Sequence, residues 1–234
     1  MTTPPATIGM LLPSGNLVAE EQIHAMTPKG VRALTTRLPL TGSSDADLKR
    51  MTESLEGAAG LLADARVDLI AFNCTAVSTY SSDADCKIAD RITNATKTPA
   101  VTTAQALVAA LRHFEAKRVV LVTPYIEAVT RREQAFLAHH GFEVIHSASH
   151  GINLNWDMAQ EPPETWTRLV LDNRRDDADA YLLSCTAIRS AEVIDGIETV
   201  LGKPVITSNQ ALMWHCLRAL GIERPIKGFG RLLG

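Results

Sequence analysis

The sequence predicts an α/β protein built as two pseudo-symmetric, open parallel-sheet lobes with a site where the lobes meet. Three observations predict it. Short runs rich in Val, Ile and Leu alternate with longer amphipathic stretches, as when buried parallel strands are each followed by a covering helix. The two halves of the chain also match: Ile8-Gly9-Met10-Leu11-Leu12-Pro13 aligns with Val119-Val120-Leu121-Val122-Thr123-Pro124, and Phe72-Asn73-Cys74-Thr75-Ala76-Val77 with Leu183-Ser184-Cys185-Thr186-Ala187-Ile188, both at an offset of 111 residues. A third pair, the nine residues from Pro99 to Leu107 and those from Pro204 to Leu212, agrees at an offset of 105.

Taken in order, the apolar runs expected as strands are residues 8–12, 33–38, 69–72, 100–102, 119–122, 143–146, 180–183 and 205–207. Between them, 45–65, 103–114, 126–140, 164–174, 191–201 and 210–220 carry the three-to-four-residue spacing of helices. His139-His140 before Gly141 reads as a helix C-terminus. The segment 151–163 has few signals of either kind and two prolines, so it is expected as a loop, with a lid and a plain surface connection both open.

Composition narrows the function. The 234 residues are 46% hydrophobic and 21% charged, enough apolar material for a sizeable core. With 23 basic and 26 acidic residues the net charge is near −3, which makes nucleic acid and anionic membrane poor partners. No stretch reaches the roughly 18 apolar residues of a transmembrane helix. The first seven residues lack a basic leader region, so a cytoplasmic location is expected. Association into a homo-oligomer is left open.

The four cysteines, Cys74, Cys86, Cys185 and Cys216, are too few and scattered for a disulfide framework and have no zinc-ligand spacing. No metal and no cofactor is expected. Cys86 and Cys216 read as structural. Cys74 and Cys185 differ, because both end a strand, both precede Thr and both occupy the same repeat position. A lone cysteine there would be a small core hydrophobe; the matched pair points to chemistry.

In an open parallel sheet, ligands bind beyond the carboxyl ends of the strands. Pro13, Ser14 and Asn16, Cys74 to Ser78, Tyr125, and Cys185 with Thr186 all follow strands directly, so two facing lobes bring them to one cleft. Each thiol is expected at a helix N-terminus, where N–H groups lower its pKa. Those groups, including that of Ala76, with the hydroxyls of Thr75, Ser78 and Thr186, make a nest for a carboxylate. The expected ligand is a small carboxylic or dicarboxylic acid held between two opposed thiols. With each thiol about 3–3.5 Å from its reacting atom, the sulfurs should lie about 6–9 Å apart, too far for a disulfide. Leu38-Pro39-Leu40 and the segment 151–163 are expected to line the pocket. His150 and His215 are weak candidates, and His24, His113 and His146 have no partner motif.

These residues resemble the aspartate/glutamate racemase superfamily, in particular its maleate cis-trans isomerase and arylmalonate decarboxylase branch. Ile8 to Asn16 is similar to the opening strand and Pro-Ser-x-Asn loop of maleate isomerases, and Asn73-Cys74-Thr75 to their first cysteine motif. Leu183 to Arg189, followed by Leu201 to Ala211, resembles the second cysteine motif and the strand after it. The resemblance implies an Asp/Glu racemase-like fold, with residues 1–98 plus 209–234 as the first lobe and 99–208 as the second, the last helix returning to the first. It implies Cys74 as the nucleophile that adds to a double bond and Cys185 as the opposing thiol that moves a proton. Asn16, Tyr125 and Asn155 match positions that hold substrate carboxylates, and Asn153 competes with Asn155.

Departures from the superfamily sort the activities. Amino-acid racemases carry acidic or imidazole partners where this chain has Pro13-Ser14 and Ala187-Ile188, and arylmalonate decarboxylases have glycine where Cys74 stands. The expected activity is cofactor-independent cis-trans isomerisation of a small unsaturated dicarboxylate. The alternative is racemisation or decarboxylation of a 2-substituted acid through a carbanion, and a third reading is a non-catalytic small-molecule binder.

Overall fold

The structure, a computed structural model, describes residues 5–42 and 44–234; Met1 to Pro4, in the stretch read for a leader, and Ser43 lie outside the described residues. The first lobe runs β1 (Ala6–Pro13), α1 (Ala19–Ala25), β2 (Val31–Leu38), α2 (Asp45–Glu53), α3 (Leu55–Asp64), β3 (Leu69–Phe72), α4 (Thr75–Ser78), α5 (Ala84–Thr96) and β4 (Ala100–Thr102). After α6 (Thr103–His113) come β5 (Arg118–Tyr125), α7 (Glu127–His139), β6 (Glu143–Ile152), α8 (Asn155–Gln160), α9 (Pro163–Asp172) and β7 (Ala180–Leu183). A 3-10 turn at Ala191–Val193 leads into α10 (Ile194–Leu201), β8 (Val205–Thr207), α11 (Ser208–Ala219) and α12 (Gly230–Leu233).

The strands form two four-stranded parallel sheets of order β2-β1-β3-β4 and β6-β5-β7-β8. The repeat read from sequence reaches individual hydrogen bonds. Asp68 accepts from Thr7 N at 2.8 Å, and Asp179, 111 residues on, accepts from Arg118 N at 2.8 Å. The backbone N–H of Asn73 donates to Leu11 O at 2.9 Å, and that of Ser184 to Val122 O at 2.8 Å. At the other offset, Thr102 and Gln105 form a reciprocal cap on α6, and on α11 the equivalent Gln210 Oε1 accepts from Thr207 N at 3.1 Å.

Period-two alternation on the buried strands builds three apolar layers. Ile8, Met10 and Leu12 join Leu69, Ala71, Val119, Leu121, Ala180 and Leu182 in a central core with α6 and α11. Leu11, Ile70 and Phe72 pack the outer face of the first sheet, and Val120, Val122, Tyr181 and Leu183 that of the second. The two lobes therefore share one core. In it, α11 packs on α6 and reaches α1 of the first lobe.

Several expectations change. The expected second lobe began at residue 99, yet β4 hydrogen-bonds β3, so residues 100–102 belong to the first sheet. The stretch 45–65 is two helices broken at Ser54, which ends α2 and starts α3. The expected loop 151–163 instead holds the end of β6 and helix α8.

Candidate active site

Both cysteines sit just past the carboxyl ends of central strands. Cys74 follows β3 in an extended conformation (φ −154°, ψ 109°) and caps α4, so the N–H groups of Ala76 and Val77 point at its sulfur. Cys185 follows β7, and its sulfur receives the Ala187 N–H at 3.2 Å and a hydrogen bond from the Tyr125 hydroxyl. Met158 of α8 closes over it, with sulfur to sulfur 3.9 Å. The expected helix after Cys185 is a turn.

Electrostatics ties these groups into one cluster. Charge on Cys185 raises the pKa of Cys74, and Tyr125, pushed up mainly by burial, is raised further by both thiols. All four cysteines are free thiols, as expected. The expected lowering of the thiol pKa is overturned, because burial pushes both Cys74 and Cys185 up to about 12. Cys74 is 4% and Cys185 2% exposed, so stripping water from a thiolate outweighs the donors that face it. Four residues of α4 also supply much less dipole than a full helix.

The flanking polar residues divide by what they bond. Asn16 caps α1, its Oδ1 accepting from Val18 N and Ala19 N at 3.0 Å, while its Nδ2 donates across the lobes to Thr186 O at 3.0 Å and Thr186 Oγ1 at 3.2 Å. Thr75 donates to Ser208 Oγ at 2.9 Å. Ser78, expected to face the nest, turns back to donate to the Cys74 carbonyl at 2.8 Å and accept from Ala104 N at 3.1 Å. Ser14 ties the loop after Pro13 to Leu40, whose N–H donates to it at 3.0 Å. Leu38 and Leu40 are buried in the same outer cluster as Cys74.

Asn155 is the residue with capacity to spare. Its backbone N–H donates to Thr41 O at 3.1 Å, while its Nδ2 is buried without a partner. Asn153 is exposed, so burial selects Asn155 of the two. Gly15 keeps the neighbouring backbone close: a Cβ there would sit a tight 3.1 Å from Leu40 O, and in ordinary contact, 3.5 Å, with the Asn155 side chain. A buried amide donor with nothing to bond costs about 1–3 kcal/mol, which a carboxylate in the cleft would offset.

Other candidates fall outside this cluster. His150 faces Glu161 at 3.7 Å and the Trp166 ring, and His215 lies beside Trp214 on α11. Cys216 is buried in the central core as expected, whereas Cys86, read as structural, is exposed on α5.

Three features escaped the sequence reading: Met158, an amide chain in the first lobe, and Glu133. In the amide chain, Asn73 Nδ2 donates to Asn209 Oδ1 at 2.9 Å, and Asn209 Nδ2 donates to Gln22 Oε1 at 2.9 Å and Thr186 O at 3.0 Å. Glu133 on α7 is fully buried, accepts a short hydrogen bond from Ser184 Oγ, and is pushed up to about 7 by burial. The folded chain thus holds a proton on Glu133 between the ordinary value near 4.5 and about 7, where the unfolded chain has released it. Folding takes up that proton, so this group's contribution to stability falls as pH rises through the window and levels off above it. In thermal melts, Glu133→Gln is expected to gain on the wild type from about pH 5 to about pH 8. A difference that stays flat with pH would contradict a raised Glu133.

Among the described residues no helix is long and apolar enough to cross a membrane, and no group of three or more His, Cys, Asp or Glu side chains is gathered as for a metal.

A model of the arylmalonate decarboxylase family matches residues 8–233. A maleate isomerase of Geobacillus stearothermophilus is 26% identical over 241 residues, covering 97% of this chain and 96% of its own. An arylmalonate decarboxylase of Bordetella bronchiseptica is 34% identical over 141 residues, 59% of each chain. A cysteine-to-alanine variant of the maleate isomerase Iso from Pseudomonas putida S16, solved with maleate, superposes with a TM-score of 0.94 at 28% identity and 97% coverage of both chains.

Proposed function

The chain belongs to the arylmalonate decarboxylase family, and from that footing we propose that it is a cis-trans isomerase of a small unsaturated dicarboxylate of the maleate type, working without a cofactor. The observation that carries this reading is the pairing of Cys74 with Cys185: two buried thiols at equivalent strand ends, each electrostatically sensed by Tyr125. Full-length similarity to maleate isomerases supports it.

The chemistry follows from the residues present. Cys74, its S–H proton released to solvent before the substrate seats, adds through sulfur to one alkene carbon, forming a C–S bond as the π pair moves toward the other carbon. Cys185 donates its proton to that second carbon and becomes a thiolate, held by the Tyr125 hydroxyl and the Ala187 N–H. The former double bond is now single and rotates. Cys185 then takes the proton back, the C–S pair returns to Cys74, and the trans isomer leaves. Asn16 and Asn155 flank the carboxylates, with the free Asn155 Nδ2 as one donor. The N–H groups of Ala76 and Val77 steady the Cys74 anion, and Thr75 and Thr186 fix the loops that carry the two sulfurs.

Proton NMR of the purified protein with maleate tests this directly. A fumarate singlet growing in proportion to enzyme is expected; its absence at high enzyme concentration would remove maleate as substrate. The stretch of 34% identity to an arylmalonate decarboxylase keeps a second reading in play, carbanion chemistry on a 2-substituted acid. Carbon dioxide release from a substituted malonate, with no fumarate from maleate, would select it.

A further inference from the structure

The repeat makes the two cysteines near-equivalent, yet the isomerase reading gives them different work. Burial does not separate them, because it pushes both thiols up to about 12. Their backbone donors are alike, but the Tyr125 hydroxyl donates to Cys185 alone and favours its thiolate. A second difference, of opposite sign, lies one layer behind.

The 111-residue offset that matches the strands and their hydrogen bonds sets Gln22 of α1 against Glu133 of α7, and Asn73 against Ser184. Four buried positions correspond along the two helices, Val18, Ala19, Gln22 and Met26 with Val129, Thr130, Glu133 and Leu137, while Ile23 and Phe136 are buried without a buried counterpart. Behind Cys74 the matched pair is neutral: Gln22 and Asn73 are joined through Asn209, and Gln22 Nε2 donates to Ile188 O at 3.0 Å and to the Glu192 carboxylate, itself paired with Arg189, at 3.3 Å. Behind Cys185 the same place holds an acid. Glu133 Oε1 accepts from Ser184 Oγ, and its Oε2, also buried, has no partner. Its charge raises Cys185 and Tyr125 but is not among the influences on Cys74.

We propose that Glu133 is a positioning residue for Cys185: standing behind it where the first lobe has an amide, its carboxylate opposes ionisation of Cys185, against the Tyr125 hydroxyl that favours the thiolate, and so keeps that thiol protonated as the proton donor. The reason is electrostatic. Removing one proton from the pair leaves either sulfur charged, and a carboxylate behind one of them tips the choice toward the other. The titratable groups that feel Glu133 are Tyr125 on β5 and Cys185 after β7, with Cys74 beyond them; its remaining contact, Ser184, is neutral. No proton is transferred by Glu133 itself. Its effect is present only when it is ionised, above about pH 7.

The assignment of work to the thiols rests on the isomerase reading, but the charge asymmetry can be measured without substrate. Wild type and Glu133→Gln are alkylated with iodoacetamide from about pH 6 to about pH 9, and the Cys74 and Cys185 peptides are quantified separately by mass spectrometry. In the wild type, the ratio of Cys74 to Cys185 labelling should rise through about pH 7 as Glu133 ionises. Glu133→Gln should label Cys185 up to about tenfold faster above that pH, a one-unit fall in its apparent pKa. At about pH 6, where Glu133 is already neutral, the two proteins should agree. The Cys74 peptide serves as control for cleft opening, which a merely structural role would change at both cysteines and at every pH. Gln22→Glu should slow labelling of Cys74 instead. A Cys74 to Cys185 ratio that is flat with pH in the wild type, or unmoved by Glu133→Gln, would overturn the proposal even if either variant folds poorly. A failed maleate assay beside an altered ratio would remove the isomerase reading alone.

Discussion

Cys74→Ala is expected to abolish conversion of maleate, lowering kcat by roughly 10⁴-fold or more, because the remaining thiol, Cys185, is placed to move the proton rather than to form and later release the bond to the alkene carbon. The substitution itself is mild for the fold. Cys74 packs among Leu11, Val77 and Ile88 in the outer cluster of the first lobe, and the bonds that the Ser78 hydroxyl and N–H donate to its carbonyl do not involve the sulfur. Parallel assays of melting temperature and of binding of a saturated dicarboxylate should therefore change little. Turnover of Cys74→Ala within tenfold of the wild type would remove covalent addition from the mechanism.

Cys185→Ser is expected to separate addition from completion. A serine hydroxyl occupies similar space and can accept the Ala187 N–H, but it gives and takes protons poorly near neutral pH. The loss in kcat should be about 10²- to 10⁴-fold, the range for removing a positioned acid or base. Because Cys74 remains, protein quenched during turnover should carry the mass of one substrate on the Cys74 peptide. Loss of activity with no such species, while maleate still binds, would mean that Cys185 acts before or during addition rather than after it.

Much of this site was legible because buried parallel strands advertise themselves. Leu69–Phe72, Ala100–Thr102, Ala180–Leu183 and Val205–Thr207 were expected to the residue, and all but the half-buried edge strand Ala100–Thr102 are runs sealed on both faces. The edge strand β6 was cut short at His146, because its second half, Ser147 to Ile152, is half-exposed and polar and offers no apolar run. Helices α4 and α8 are too short for periodicity to register. The cysteine pair came from the repeat, but their ionisation did not, since a sequence shows the N–H donors after Cys74 and not the burial that outweighs them. Glu133 was hidden in Thr130-Arg131-Arg132-Glu133-Gln134, which reads as a solvated helix face. Extending the 111-residue offset from the strands into α1 and α7 would have paired it with Gln22.

The central claim is that two lobes present two thiols to one dicarboxylate, and a crystal structure of Cys185→Ser grown with maleate tests it most directly. The account predicts continuous density from the Cys74 sulfur to a substrate carbon, with the residue 185 side chain against the neighbouring carbon and the carboxylates between Asn16 and Asn155. It also predicts wild-type sulfurs about 6–9 Å apart, the span that two contacts of about 3–3.5 Å to adjacent carbons allow. Maleate bound away from Cys74, or sulfurs more than about 12 Å apart, would contradict it.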